Sequence, residues 1–66
     1  MKKYYNFETM FISLRDALRA FLDENNFYYE ISGNGAYYHF EILADRIGAD
    51  AINNFIESVT ITEQAV

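Results

Sequence analysis

Residues 27–42, FYYEISGNGAYYHFEI, alternate strictly on both sides of an Asn-Gly pair. Phe27, Tyr29 and Ile31 alternate with Tyr28, Glu30 and Ser32. Beyond the turn, Ala36, Tyr38, Phe40 and Ile42 alternate with Tyr37, His39 and Glu41. Period-two alternation around Asn-Gly predicts a β-hairpin, because a type I′ turn needs positive φ at both central residues. A turn centred on Asn34-Gly35 sets Ile31 against Tyr38, Tyr29 against Phe40 and Phe27 against Ile42. On the other face it sets Glu30 against His39 and Tyr28 against Glu41. Centring the turn on Gly33-Asn34 slides the register but keeps the faces, so the faces are more firmly specified than the pairing.

The hairpin also accounts for the tyrosines. All six fall in adjacent pairs: Tyr4-Tyr5, Tyr28-Tyr29 and Tyr37-Tyr38. Neighbours in a strand point to opposite faces. Each doublet therefore sends one ring inward and one outward, with Tyr29 and Tyr38 in and Tyr28 and Tyr37 out. The stretch KYYNFETMFI extends the pattern, with Tyr5, Phe7, Thr9 and Phe11 as one set and Tyr4, Asn6, Glu8 and Met10 as the other. A helix from Asn6 is the competing reading, and it would place Ile12 among Glu8, Asp16 and Arg19. The strand reading avoids that and leaves Ser13 as a helix N-cap, with Asp16 in the capping-box position.

Two helical stripes follow. Leu14, Ala17, Leu18, Phe21 and Leu22 recur at helical spacing, with Arg19 and Asp23 positioned for an i,i+4 pair. Asn25-Asn26 ends this helix, since Asn tolerates the left-handed conformation. The second helix spans Ala44 to Glu57 with the stripe Ala44, Ile47, Gly48, Ala51, Ile52 and Phe55. A helix starting near Ala49 is the alternative. Gly48 costs about 1 kcal/mol of helix propensity, which a close approach of helix to sheet at Gly48 and Ala51 would offset. Val59-Thr60-Ile61-Thr62 alternates and is β-branched throughout, which predicts a last strand.

The resulting order is βαββαβ over a single domain, residues 1–66. This is the ferredoxin-like α+β architecture: a four-stranded antiparallel sheet in spatial order 4-1-3-2 with two helices on one face. The chain has 66 residues and no cysteine. A domain this small buries only about 60% of the surface its unfolded form exposes, so self-association into a homodimer is an expected source of stability. The absence of cysteine excludes disulfides and thiolate zinc sites. No apolar run reaches the ~20 residues a membrane span needs, and MKKYYNFE lacks the apolar stretch of a signal peptide. A cytoplasmic protein is expected.

If both helices cover one side of the sheet, the other side is open. It carries Tyr4, Asn6, Glu8 and Met10, then Tyr28, Glu30 and Ser32, then Tyr37, His39 and Glu41, then Thr60 and Thr62. A wet antiparallel sheet face carries polar residues in any case. Tyrosine, however, offers rigid contact area with a polar tip and is enriched at interfaces. We expect partner binding through Tyr4, Glu8, Tyr28, Glu30, Tyr37, His39 and Glu41. Asp45, Asp50, Glu57 and Glu63 form a secondary acidic surface along the second helix and tail.

Charge selects the partner. Ten acids face five bases, and from Ala20 onward eight acids face Arg46 alone. Nucleic-acid affinity comes largely from Lys and Arg on phosphates, so direct nucleic-acid binding is disfavoured. No Lys/Arg-Gly-Phe-like signature marks an RNA-recognition sheet. A protein partner with a basic surface fits better. The most concrete form is an inhibitor occupying the basic site of a nucleic-acid-binding enzyme, in the manner of the small acidic cysteine-free proteins of viral counter-defence. A homodimeric structural or ligand-sensing domain is the alternative.

No catalytic centre, metal or cofactor is expected. His39-x-Glu41 with Glu30 offers one histidine where a zinc site needs three or four defined ligands, and a solvated His39 hydrogen-bonded to Glu30 is the plainer reading. Carboxylates on an open sheet lack the burial that tunes an acid/base pair. SGNGA joins two strands and does not lead into a helix, so it reads as a turn and not a phosphate loop.

Overall fold

A computed structural model describes residues 1–33 and 35–64, with side chains described as far as Thr60. The elements run β1 (Lys3–Thr9), α1 (Ile12–Glu24), β2 (Tyr28–Gly33), β3 (Tyr38–Ala44) and α2 (Arg46–Gln64). They form a three-stranded antiparallel sheet in the order β1-β3-β2. The fold is α+β, and the expected ferredoxin-like four-stranded βαββαβ sheet is replaced by βαββα. The expected order 4-1-3-2 survives only as its 1-3-2 part.

The fourth strand is absent because residues 59–62 continue α2. The reason is visible in the sequence. Residues 52, 55, 56 and 59 hold a helical spacing, and no Gly, Pro or Asn interrupts the chain between Phe55 and Thr62. Once a helix is nucleated, each further residue gains a hydrogen bond at little cost, and this outweighs a β propensity that depends on context. Thr60 therefore belongs to a helix and not to the open sheet face. The side chains of Thr62 and Glu63 lie outside the described residues.

Both helices pack on one face of the sheet. Leu18 and Leu22 of α1 and Ile52 of α2 join Phe40, Ile42 and Ala44 of β3 in one buried cluster, flanked by Phe7, Phe21, Phe27, Tyr29 and Phe55. Phe21 stacks on Phe55 at 4.3 Å between ring centroids, which ties the two helices together.

The ends of the helices are set by local chemistry. At the end of α1, the Asn26 N–H donates to Asp23 and the Phe27 N–H to Leu22, with Asn26 at φ 58°. This is a Schellman closure, and the Phe27 ring packs back on Phe21. The start of α1 differs from expectation. Ser13 lies inside the first turn, the cap position is Phe11, and Thr9 Oγ1 accepts the Phe11 N–H at 3.1 Å. Strand β1 accordingly stops at Thr9 instead of running on to Phe11.

Helix α2 starts at Arg46, after Ala44 has closed β3. Asp45 caps it, its Oδ1 accepting the Gly48 N–H at 2.7 Å, in the usual side-chain capping geometry. That starting point rotates the buried stripe by one residue, to Gly48, Ala49 and Ile52 with Phe55 and Ile56 half-buried. Ile47 and Ala51, expected on the stripe, are exposed.

Candidate functional site: the open sheet face

The face of the sheet turned away from the helices is built from three cross-strand rows. Strand register places Tyr4, Leu43 and Tyr28 in the first row, Asn6, Glu41 and Glu30 in the second, and Glu8, His39 and Ser32 in the third. In each row the β3 residue sits in the middle. The face thus grades from an aromatic and apolar end, through a carboxylate centre, to a mixed polar end.

The tyrosine doublet of β2 divides as expected, and Tyr38 of β3 turns inward as expected. Tyr28 is 57% exposed, while Tyr29 and Tyr38 are half-buried on the helix side. In β1, Tyr4 is well exposed on the open face, and Tyr5 is only partly covered because edge strand β1 lies at the margin of the helix layer. Tyr37 is exposed but precedes β3, so it borders the sheet without belonging to a row. Met10 likewise lies beyond the end of β1. Leu43 is the residue that sequence reasoning missed. The alternation continued one step past Glu41 reaches it, and it forms the apolar floor between Tyr4 and Tyr28.

The register corrects the expected pairs. The observed partners are Glu30 with Glu41, Ser32 with His39 and Tyr28 with Leu43. Four residues, 34–37, separate the two strands instead of two, which moves every pair while leaving each side chain on its expected face. His39 therefore does not meet Glu30. Its Nδ1 lies 3.2 Å from Glu8 Oε1 and its Nε2 lies 3.0 Å from Asn6 Oδ1, so two side chains of β1 hold the ring.

The centre of the face is acidic. Glu30 and Glu41 are directly opposed, a like-charge arrangement that destabilises a sheet. Glu30 accepts a hydrogen bond from the Tyr28 hydroxyl at 3.3 Å. Among the described residues neither carboxylate has an ion-pair partner; Arg15 pairs with Asp16, and the His39–Glu8 contact is an ion pair only when the imidazole is protonated. Glu30, through its charge and its hydrogen bond, raises the Tyr28 hydroxyl above the ordinary tyrosine value. That tyrosine remains a neutral donor well into alkaline conditions.

The secondary acidic surface is separated from this one. Asp50 and Glu57 are exposed on α2, which covers the opposite side of the sheet. Asp45 is committed to capping α2. Among the described residues no group of three or more His, Asp or Glu side chains is arranged to hold a metal ion. No helix among them is long and apolar enough to cross a membrane.

Comparison with protein-family models, curated proteins and solved structures gives no match for this chain.

Proposed function

We propose that the protein is a small acidic, non-enzymatic binding domain whose open sheet face engages a basic surface on a protein partner. The observation that carries this reading is the opposition of Glu30 and Glu41 at the centre of an otherwise tyrosine-rich face. Glu30 and Glu41 are register partners, and among the described residues neither has an ion-pair partner. A partner's Lys or Arg placed between them would relieve the repulsion and gain charge-assisted hydrogen bonds. Tyr4, Leu43 and Tyr28 supply the ring burial that anchors an interface, and Glu8 and His39 complete its polar side. Tyr37 contributes from the border of the sheet.

The most concrete version is an inhibitor that occupies the basic nucleic-acid site of an enzyme in the cytoplasm, or in the host cytoplasm if the chain is phage-encoded. Carboxylates spaced along β2 and β3 then stand where phosphates would. The test is to capture partners from cell extract with wild type and with the Y28A/E30A double variant, and to assay every captured nucleic-acid enzyme. Inhibition by wild type and not by the variant supports the reading. Failure to capture such an enzyme, or equal inhibition by the variant, overturns it.

A homodimer is the second reading. Met10, Phe11 and Ile12 are consecutive, apolar and all more than half exposed at the β1–α1 junction, which a soluble surface does not favour. Sedimentation decides this reading, and a monomer at millimolar concentration removes it.

A further inference from the structure

A groove lies at the opposite edge of the molecule from β1. It runs between α1 and the outer edge of β2, with a volume of about 640 Å³. Its charged lining consists of Arg15 and Arg19, from α1. Tyr29, Ile31 and Tyr38 line it together with Ser32, Gly33 and Gly35. This chain carries twice as many acids as bases, yet two of its arginines converge on a single groove.

The groove runs along a strand that can accept a partner. β2 pairs with β3 on one side only, so alternate residues of Tyr28–Gly33 turn their backbone N–H and C=O groups outward. Protein edges are commonly protected by lysine, proline or a bulge. The sequence YYEISG has no lysine or proline and stays in continuous register with β3. Arg15 is held in place beside it. The Arg15 guanidinium lies 4.6 Å from the Tyr38 ring centroid and is steadied by Asp16 at 2.9 Å. Asp23 accepts the Tyr29 hydroxyl at 2.6 Å. Arg15 is paired with Asp16 and Arg19 bonds the Tyr29 hydroxyl, but neither Asp16 nor Asp23 lines the groove, so its charged lining is cationic.

We propose that this groove binds an extended acidic peptide segment by strand addition to β2. The backbone of the segment would pair with the outer edge of β2, and its carboxylates, on alternate residues, would reach Arg15 and Arg19. Main-chain hydrogen bonds supply affinity in this mode, and the side-chain pockets supply specificity. Charge complementarity selects the occupant, since a basic segment would meet two guanidinium groups. The site shares Ser32 with the open sheet face but does not depend on the partner proposed for that face.

The test uses a blocked pentapeptide of alternating Glu and Val, titrated into isotopically labelled protein and followed by amide chemical shifts. The expected result is saturable shifts in β2 and around Arg15 and Arg19, with affinity falling about ten-fold or more in the R15Q/R19Q variant. The all-lysine counterpart should not bind. Should the double variant fold poorly, the peptide itself carries the test, because N-methylation at alternate residues removes strand pairing and should abolish binding in one of the two registers. Absence of binding, equal binding of the lysine peptide, indifference to N-methylation in both registers, or shifts confined to the open face would each overturn the proposal. So would concentration-dependent shifts of β2 without peptide, which would assign the edge to a second copy of the chain.

Discussion

The Phe27 ring occupies the space that a side chain on Gly48 would need. A β-carbon built at Gly48 would sit 2.8 Å from Phe27 Cε1 and 3.2 Å from Asp45 Oδ1. The glycine admits the residue that closes the Schellman turn, so the end of α1 and the start of α2 lock against each other at one point.

Replacement of Gly48 by alanine should therefore destabilise the protein by about 1–3 kcal/mol, the usual range for overpacking, although alanine gains about 1 kcal/mol of helix propensity. Urea unfolding measures the balance. A Phe27→Leu change made together with Gly48→Ala should recover part of the loss. A neutral or stabilised single variant would show that the close approach is dispensable.

Asp45 caps α2 through its Oδ1. Asp45→Ala should cost about 1 kcal/mol through loss of the cap, whereas Asp45→Asn should retain most of the stability. Denaturant midpoints distinguish the two. Binding of a basic partner should be insensitive to either change beyond the effect on folding.

Alkaline conditions should weaken the fold through Tyr29. Its hydroxyl donates to Asp23, and this bond, with burial, raises its pKa above the ordinary value of 10. The folded state thus holds the phenolic proton more tightly than the unfolded state. The stabilisation is complete below pH 10 and is lost as pH rises through the folded-state value. Tyr29→Phe should flatten stability against pH in that range. Tyr28 is also raised, chiefly by the charge of exposed Glu30. Molar salt should lower its apparent value more than that of Tyr29, which ultraviolet titration of single-tyrosine variants can follow.

Relief of the carboxylate pair should improve the free protein and harm its recognition. Glu41→Gln is expected to stabilise the fold by up to about 1 kcal/mol, because directly opposed like charges are unfavourable in a sheet. The same change should weaken capture of a basic partner. A variant that is both more stable and equally competent in binding would sever the link between the strain and the interface.

Periodicity carried most of the legible information. Alternation placed Tyr28, Glu30, His39 and Glu41 on the open face and Tyr29, Phe40 and Ile42 beneath the helices, because a face follows from parity alone. Register was not legible to that degree, since it depends on loop length. The strands are separated by residues 34–37, with Gly35 at φ 91°, and not by a two-residue turn. The stripe Leu14, Leu18 and Leu22 was readable for the same reason as the faces. The stripe of α2 was misread by one residue because Asp45, the cap that fixes where the turns begin, was placed inside the helix. Val59 to Thr62 misled through composition, where the continuing spacing from Ile52 to Val59 held the better signal.

The strand order has a kinetic meaning as well. β3 alone is bonded along both sides, and it carries the fully buried Phe40, Ile42 and Ala44. β1 and β2 each have a single neighbour and can fray without disturbing the other. Amide protons of β3 should be the slowest to exchange with solvent, released only when the whole domain opens, while those of the flanking strands escape through cheaper local events. The molecule is thus built around one axial strand, with margins that can yield while the centre holds.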